Sequence, residues 1–176
     1  MIPRTTRVFL EPIAIVRNAV TDREGLQSFK TLESQIVFKK KYARGLRGIE
    51  DYSHLSIIFW LNKAVKDRTK VELITRPGHR EYLPKVGVFA TRNAVHRPNH
   101  LGMTVVELLG RNSNILRVRG LDAFDGSPVL DIKPYFRRDT AGTRRMARRS
   151  KGKRLSMLDF EGRIIVPEWW SRWSRG

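Results

Sequence analysis

The stretch MTVVELLGRNSNILRVRGL (Met103–Leu121) carries the clearest indication of the fold. Val, Ile and Leu recur there at a period of two, as they do in strands with one buried face. Asn112–Asn114 interrupts the pattern with residues that are typical of tight turns. The stretch therefore predicts two antiparallel strands joined as a hairpin.

Further strand-like runs lie on both sides of this hairpin. LSIIFWL (55–61) is almost wholly apolar, which predicts a central strand buried on both faces. RVFLEPIAIVR (7–17) is interrupted by Pro12, which predicts an edge strand or a bulge. The remaining predicted strands are residues 34–38, 70–76, 86–90 and 128–135. Seven or eight short strands with little helix predict a mainly β protein, a small single-sheet antiparallel β-barrel with short helical turns.

Net charge is the most unusual property of the composition. Lys and Arg number 35 against 17 Asp and Glu, which gives +18 at pH 7. A positive field of this size attracts polyanions, and it predicts contact with nucleic acid. The absence of cysteine excludes thiol chemistry, Cys-ligated zinc and disulfides, and it agrees with a reducing compartment such as the cytoplasm.

The C-terminal part of the chain differs from the rest in composition. Residues 137–176 hold twelve Lys or Arg against four Asp or Glu, so we expect a domain over 1–136 and a basic, Trp-rich extension over 137–176. Cations there are predicted to bind RNA phosphates, and the tryptophans to stack on bases, to cap the barrel or to form a dimer contact. The predicted RNA-binding residues are Arg144, Arg145, Arg148, Arg149, Lys151, Lys153, Arg154, Trp169 and Trp170.

Several classes of protein are not expected. No apolar run approaches the roughly 20 residues of a membrane span. Glu11 and Pro12 interrupt the apolar start of the chain, which argues against a signal peptide. The histidines and acidic residues lack metal-ligand spacing, so no metal is predicted. No GxGxxG motif follows a strand, so a Rossmann nucleotide site is unsupported.

The loop within GVFATRNAVHRPNHLG (87–102) combines cationic and conformationally restricted residues. Arg92 and Arg97 suit a carboxylate or a phosphate, because a guanidinium presents a fork of donors. Pro98 stiffens the loop, Asn99 accepts turn geometry, and Gly102 allows backbone to approach a ligand. The loop predicts a site for a small anionic or zwitterionic molecule, and the alternative is a surface loop with incidental charges.

FDGSP (124–128) has the residues of a tight turn, with Asp125 in an Asx-turn, Gly126 at positive φ and Pro128 restarting a strand. Taken alone, this pattern indicates a turn more often than a site. His54 lies just before the most apolar strand, where a histidine is either a structural residue or a base.

Four segments of the chain together resemble the TrmO-like family: LEPIAIVRN, YARGLRGIEDYSHLSIIFWLNK, LPKVGVFATRNAVHRPNHLGMTVVELL and LRVRGLDAFDGSPVLDIKPY. The resemblance covers roughly residues 8–136. The family comprises tRNA methyltransferases that act on threonylcarbamoyladenosine beside the anticodon. The resemblance thus implies a small β-barrel that binds S-adenosylmethionine, that acts on the anticodon loop of tRNA, and that forms a homodimer with sites near the subunit contact.

The resemblance also implies the residues of the cofactor pocket. It assigns cofactor contacts to Arg92, Met103, Phe124, Asp125, Gly126, Ser127 and Pro128, with Arg97, Asn99 and Gly102 forming the loop and Asn62 and Lys63 as a further contact. Three departures stand out. The loop has one residue more between Arg92 and Arg97 than the commonest pattern, His100 stands where the family has proline, and Ser127 stands for threonine. A Pro-Arg-Gln cofactor motif is absent, so one end of the cofactor lacks an identified partner.

The implied reaction is transfer of a methyl group from S-adenosylmethionine to N6 of the modified adenosine. Removal of the N6 proton calls for a base, and Asp125, Asp122 and His54 are the candidates. One of Arg97, Arg47 or Arg44 is expected to pair with the threonyl carboxylate. Two alternatives stay open, namely a methyltransferase for another acceptor and a non-catalytic RNA-binding protein.

Overall fold

The computed structural model describes residues 8–21, 29–63, 71–79, 81–91 and 93–135. In this part of the chain six antiparallel strands close into a barrel in the order β1-β2-β7-β6-β3-β8, and β4 and β5 form a separate two-stranded sheet. The strands are β1 Ala14–Arg17, β2 Glu33–Phe38, β3 His54–Trp60, β4 Ile74–Thr75, β5 Val86–Gly87, β6 Leu101–Asn112, β7 Ile115–Arg119 and β8 Pro128–Pro134. The prediction of a small single-sheet barrel is confirmed.

The β6–β7 hairpin forms where the sequence predicts it. Asn112 pairs with Ile115, and Glu107 pairs with Arg119 at the other end of the ladder. Ser113 occupies the left-handed region at φ 55°, as a two-residue turn of this kind requires. The strand β6 begins two residues before the predicted start, because it also pairs with β3 as far as Leu101.

The barrel core is built from the inward faces of the six strands. In β3, Leu55, Ile57 and Phe59 are buried, and the residues between them are half-buried. The prediction that this strand is buried on both faces is therefore wrong. A closed barrel has an outer face, and the apolar Ile58 and Trp60 lie on it and remain partly accessible.

The first predicted strand is shorter in the structure, since only Ala14–Arg17 of residues 8–17 is extended in the sheet. Pro12 has no N–H for a ladder, and side-chain contacts hold the preceding segment instead. Glu11 accepts hydrogen bonds from Lys41 (2.8 Å), Lys39 (2.9 Å) and Tyr42 (3.0 Å). These donors lower the pKa of Glu11 to about 2, so its carboxylate stays charged and anchors the segment.

The segment before β6 is also less extended than predicted. Of the run 71–76 only Ile74–Thr75 is a strand, and it pairs with Val86–Gly87. Val88–Ala90 then forms a 3-10 helix, with the Val88 side chain fully buried. Burial of Val88 and two bonds from Thr91 to its carbonyl oxygen turn the chain out of the sheet.

The barrel has two ends of different composition. We call the end that holds residues 17–21, 61–63, 99–102 and 120–128 the turn end, after its FDGSP turn. The other, which we call the hairpin end, holds residues 112–115 and the 3-10 helices Lys40–Leu46 and Ile49–Asp51. Leu46 and Ile49 are buried there and extend the core. No helix among the described residues is long and apolar enough to cross a membrane.

Candidate functional site

Three segments with predicted site residues meet at the turn end. The backbone N–H of Leu61, just after β3, donates to the carbonyl oxygen of His100, 3.0 Å away. Phe59 pairs with Val129, which brings the start of β8 beside the end of β3. A Cβ built on Gly126 would lie 3.6 Å from Nζ of Lys63. The topology thus places residues 61–63, 99–102 and 124–128 next to one another.

The FDGSP turn is held mainly by backbone hydrogen bonds. Ser127 N donates to Phe124 O (3.1 Å), and Gly126 N donates to Val16 O (2.8 Å). Gly126 has φ +77°, a conformation that a side chain strains, so the residue type follows from the turn. Phe124 and Ser127 are buried, and Pro128 starts β8 opposite Ile15. The predicted tight turn with Gly126 at positive φ is confirmed. The predicted Asx-turn is not, because Ser127 N donates to Phe124 O, while Asp125 Oδ1 accepts from Asn18 N.

Asn18 connects this turn to the rest of the barrel. Its Nδ2 donates to Ser34 Oγ and to Ala123 O, both 3.0 Å away, and its Oδ1 accepts from Val20 N at 3.0 Å. Its backbone N–H donates to Asp125 Oδ1 at 3.2 Å. One asparagine therefore fixes the segment after β1, the start of β2 and the loop before β8. No motif in the sequence distinguishes Asn18 from other loop asparagines, so only the fold reveals this role.

The Asp125 carboxylate lies at the rim of the turn end. Its Oδ2 is 3.5 Å from Nη1 of Arg17, and its side chain is 29% exposed. A carboxylate oxygen has two lone pairs, so each oxygen keeps acceptor capacity beside the donor that it already binds. Asp125 is thus both held in position and open to a further contact. Asp122, the other acidic candidate, accepts a hydrogen bond from Oγ1 of Thr104.

Asn62 and Lys63 follow β3 directly. Oδ1 of Asn62 is buried and has no hydrogen-bond partner among the described residues. The Nε2 atom of His100, just before β6, is also buried and also has no hydrogen-bond partner among the described residues. Buried polar atoms usually have partners, so these two atoms are candidate contacts for a polar ligand. Nε2 of His96, in the loop before β6, is a third such atom. Lys63 is exposed beside Gly126 and adds a positive charge there.

The cationic loop is held by one of its own arginines. Nη2 of Arg97 donates to Thr91 O at 2.7 Å, and its guanidinium carbon lies 5.5 Å from the ring centroid of Phe89. Arg97 therefore spans and stiffens the loop, while Asn99 is exposed at its tip. Arg92 and the nine predicted RNA-binding residues lie outside the described residues.

Gly102 lies against the barrel core. A Cβ there would overlap the Phe59 ring, inside the barrel. The close approach that the structure shows is to this core side chain, and the predicted approach to a ligand stays a prediction. Met103, the next residue, points outward opposite Ile58 and is 58% exposed. Its side chain lies on the outer surface of the barrel, on the other face of β6 from the buried Gly102.

His54 lies at the hairpin end. It begins β3, where Tyr135 N donates to its carbonyl oxygen, whereas Asp125 lies beyond the other end of the strand. Six residues of β3 span about 20 Å, so His54 and Asp125 do not serve one site within a single chain. Burial lowers the pKa of His54, and the nearby Glu107 carboxylate raises it in part. Arg44 and Arg47 lie in or next to the 3-10 helix Lys40–Leu46 at the same end.

The described residues contain no group of three or more His, Asp or Glu placed to hold a metal ion. The polar atoms at the turn end are amide, imidazole, ammonium and carboxylate groups from separate strands. This combination suits an organic ligand with both donors and acceptors.

A closed barrel with polar, converging loops at one end defines a small all-β ligand-binding domain. The chain belongs to the family described as the tRNA-methyltransferase O N-terminal domain, which matches residues 21–139.

Two relatives show the range of proteins that share this domain. The chain is 41% identical over 135 residues to a probable S-adenosyl-L-methionine-binding protein of Archaeoglobus fulgidus, a match that covers 73% of this chain and 34% of that protein. It is 35% identical over 136 residues to the tRNA (adenine(37)-N6)-methyltransferase of Escherichia coli, covering 72% of this chain and 57% of the relative. The chain therefore spans between a third and somewhat more than half of the length of these relatives.

Solved structures share the architecture. The crystal structure of TrmO from Pseudomonas aeruginosa superposes with a TM-score of 0.59 at 26% identity, covering 88% of this chain and 64% of that one. This likeness agrees with the closed barrel described above.

Proposed function

We propose that the protein uses S-adenosylmethionine to methylate N6 of threonylcarbamoyladenosine next to the anticodon of tRNA. The observation that carries the proposal is the convergence of residues 61–63, 99–102 and 124–128 at the turn end. There, the buried Asn62 Oδ1 has no hydrogen-bond partner within the described part of the chain. Membership of the tRNA-methyltransferase O family, the S-adenosyl-L-methionine-binding relative and the tRNA (adenine(37)-N6)-methyltransferase of Escherichia coli support methyl transfer to a tRNA adenosine.

S-adenosylmethionine supplies a methyl group made electrophilic by its sulfonium, and the residues at the turn end fit such a ligand. Asn62 offers an acceptor, and the ammonium group of Lys63, beside Gly126, offers a positive charge for a carboxylate. The proposed contacts are Arg92, Met103, Phe124, Asp125, Gly126, Ser127, Pro128, Asn62 and Lys63, with Arg97, Asn99 and Gly102 shaping the loop. Holding the methyl donor and the base in line accounts for much of the expected acceleration.

Asp125 is the proposed base. Of the three candidates it lies beside Gly126 and Lys63 and is partly exposed, whereas His54 is at the hairpin end and Asp122 binds Thr104. Asp125 would accept the proton from N6 as the new nitrogen–carbon bond forms and the carbon–sulfur bond breaks. Arg97 is the proposed partner of the threonyl carboxylate, because Arg44 and Arg47 lie at the other end of the barrel.

We further propose that the extension over 137–176 binds the tRNA backbone. Its cations, among them Arg144, Arg145, Arg148, Arg149, Lys151, Lys153 and Arg154, suit phosphates, and Trp169 and Trp170 suit stacking on unpaired bases. A tRNA substrate would place the protein in the cytoplasm.

A homodimer is proposed from the outer face of the barrel. Leu101 and Met103 are exposed side by side on β6, next to the half-buried Ile58 and Trp60 on β3. An apolar face of this kind is more stable when a second copy covers it. Light scattering of the full chain should give the mass of two chains, and Leu101→Glu should lower it. A monomeric wild-type mass at high protein concentration would contradict the dimer.

Incubation of the full chain with S-adenosylmethionine and threonylcarbamoylated tRNA, followed by mass spectrometry of the nucleosides, tests the reaction. We expect the modified adenosine to gain one methyl group, and Asp125→Asn to slow the gain. Methylation of another nucleoside would instead indicate a different acceptor. Binding of tRNA without binding of S-adenosylmethionine would indicate a non-catalytic RNA-binding protein.

A further inference from the structure

His100 is an unusual residue at the turn end. It is only 4% exposed, and its backbone has φ +48°, in the left-handed region that histidine enters more readily than most residues. Its Nε2 atom is buried without a hydrogen-bond partner among the described residues. Burying a polar atom without a partner lowers the free energy of unfolding by about 1–3 kcal/mol. A purely structural role therefore does not explain a histidine at this position.

A second unpartnered atom lies on the neighbouring strand. The N–H of Leu61 donates to the carbonyl oxygen of His100, so Leu61 is the ladder partner of His100. Asn62 is the next residue after Leu61. Oδ1 of Asn62 is likewise buried and unpaired among the described residues. Lys63 follows Asn62, and its ammonium group lies beside Gly126 in the FDGSP turn. The two unpaired atoms therefore belong to adjoining segments at the turn end.

The chemistry of the two atoms restricts what they bind. An amide oxygen only accepts hydrogen bonds, so its partner is a donor such as an amino group. Imidazole Nε2 donates in one neutral tautomer and accepts in the other, so it pairs with a neighbouring acceptor or donor. A ligand that carries a donor beside an acceptor matches both atoms. S-adenosylmethionine has this arrangement at the adenine 6-amino group and N1, at the ribose hydroxyls, and at the α-ammonium and carboxylate.

We infer that His100 is a ligand-contacting residue of this site, which with Asn62 hydrogen-bonds one polar end of S-adenosylmethionine. The inference rests on the proposed use of that cofactor. The motif that the loop resembles has proline here, which offers no side-chain polar atom. His100 therefore supplies a contact that is specific to chains with this substitution. This chain also lacks the Pro-Arg-Gln motif.

Calorimetry of S-adenosylmethionine with the full-length protein tests the inference. His100→Asn keeps a residue that tolerates positive φ and removes the imidazole. Loss of one hydrogen bond between neutral groups predicts an affinity about three- to tenfold weaker. The matched control is His79→Asn, since His79 also has positive φ but lies beside His96, with ring centroids 5.0 Å apart. This control should bind as the wild type does.

A second probe shows which end of the cofactor is held. 5′-Methylthioadenosine carries the adenine without the amino-acid group. If His100→Asn weakens binding of this compound as well, the contact is to the nucleoside part of the cofactor. If it weakens only S-adenosylmethionine, the contact is to the amino-acid end. Either result supports the inference.

The outcomes separate the inference from the proposed function. If the wild type binds no S-adenosylmethionine, both fall. If the wild type binds it and His100→Asn binds equally well, or if His79→Asn loses as much affinity, the inference alone fails. Should His100→Asn not fold, nitrogen NMR of the four histidines in the wild type replaces it. A shift of the His100 Nε2 resonance on cofactor addition supports the contact, and an unchanged resonance overturns it.

Discussion

The side chain of Asn18 donates a hydrogen bond to the carbonyl oxygen of Ala123, 105 residues later in the chain and 3.0 Å away in space. A second bond from the same Nδ2 reaches Ser34, and the backbone of Asn18 binds Asp125. The loop that carries the proposed base is thus positioned by a residue outside it.

Asn18→Ala should therefore destabilise the protein and weaken cofactor binding together. The substitution leaves the Ala123 carbonyl and Val20 N–H without their side-chain partner, which costs about 1–3 kcal/mol. Urea unfolding and calorimetry measure the two effects. Arg117→Ala is the control, because its ion pair with Glu33 is solvent-exposed and contributes less than about 1 kcal/mol. An Asn18→Ala protein as stable as the wild type would contradict the role.

Gly102→Ala should destabilise the barrel through overlap with Phe59. Overpacking of a core typically costs about 1–3 kcal/mol. Adding Phe59→Leu should recover part of this loss, since the smaller side chain vacates the space, and unfolding of the four proteins gives the coupling. Gly87→Ala is the control, because nothing lies within 4 Å of its Cβ position and its φ is −59°. Additive effects of the two core substitutions would rule out the contact.

The free energy of unfolding should fall as the pH drops below the pKa of an ordinary histidine. Burial lowers the pKa of His54 from 6.5, so the unfolded chain binds a proton more readily than the folded one. The stabilisation is complete above about pH 6.5 and is lost as the pH falls towards the folded pKa, with a slope of at most about 1.4 kcal/mol per pH unit. Urea midpoints across this window measure it, and His54→Asn should flatten the profile. The same slope in wild type and variant would exclude His54 as its source.

Arg92→Ala should weaken S-adenosylmethionine binding without unfolding the protein. A hydrogen bond from a charged donor is worth about 1.5–3 kcal/mol, which predicts a ten- to hundredfold loss in calorimetry. Arg117→Ala is the control, since Arg117 pairs with Glu33 on an exposed part of β7. Retained affinity in Arg92→Ala, with an unchanged melting temperature, would remove Arg92 from the site.

Deletion of residues 137–154 should make tRNA binding less sensitive to salt. The segment holds nine Lys or Arg, and each lost phosphate contact lowers the slope of log affinity against log salt by about 0.7 for single-stranded RNA. Filter binding over a series of salt concentrations gives the slope. A full-length variant with these nine residues changed to Gln should behave alike. An unchanged slope in both would show that the segment makes no phosphate contacts.

Local pattern was sufficient for the architecture and for single turns. Alternation of apolar residues around Asn112–Asn114 predicts the β6–β7 hairpin, because register and side-chain direction in a strand follow a period of two. FDGSP predicts its own turn for a similar reason, since Gly126 at positive φ is a local requirement. Neither prediction depends on what packs against the segment.

Only the tertiary structure decided which residues share a site. His54 and Asp125 were equally plausible bases in the sequence, and the barrel puts about 20 Å of strand between them. The tertiary fold also explains Gly102 by the Phe59 ring and assigns a positioning role to Asn18. It leaves His100 Nε2 and Asn62 Oδ1, in adjoining segments, buried and without a hydrogen-bond partner among the described residues. Contacts of this kind join segments that are far apart in the chain. They depend on strand order and barrel closure, and local periodicity does not encode which distant residues meet.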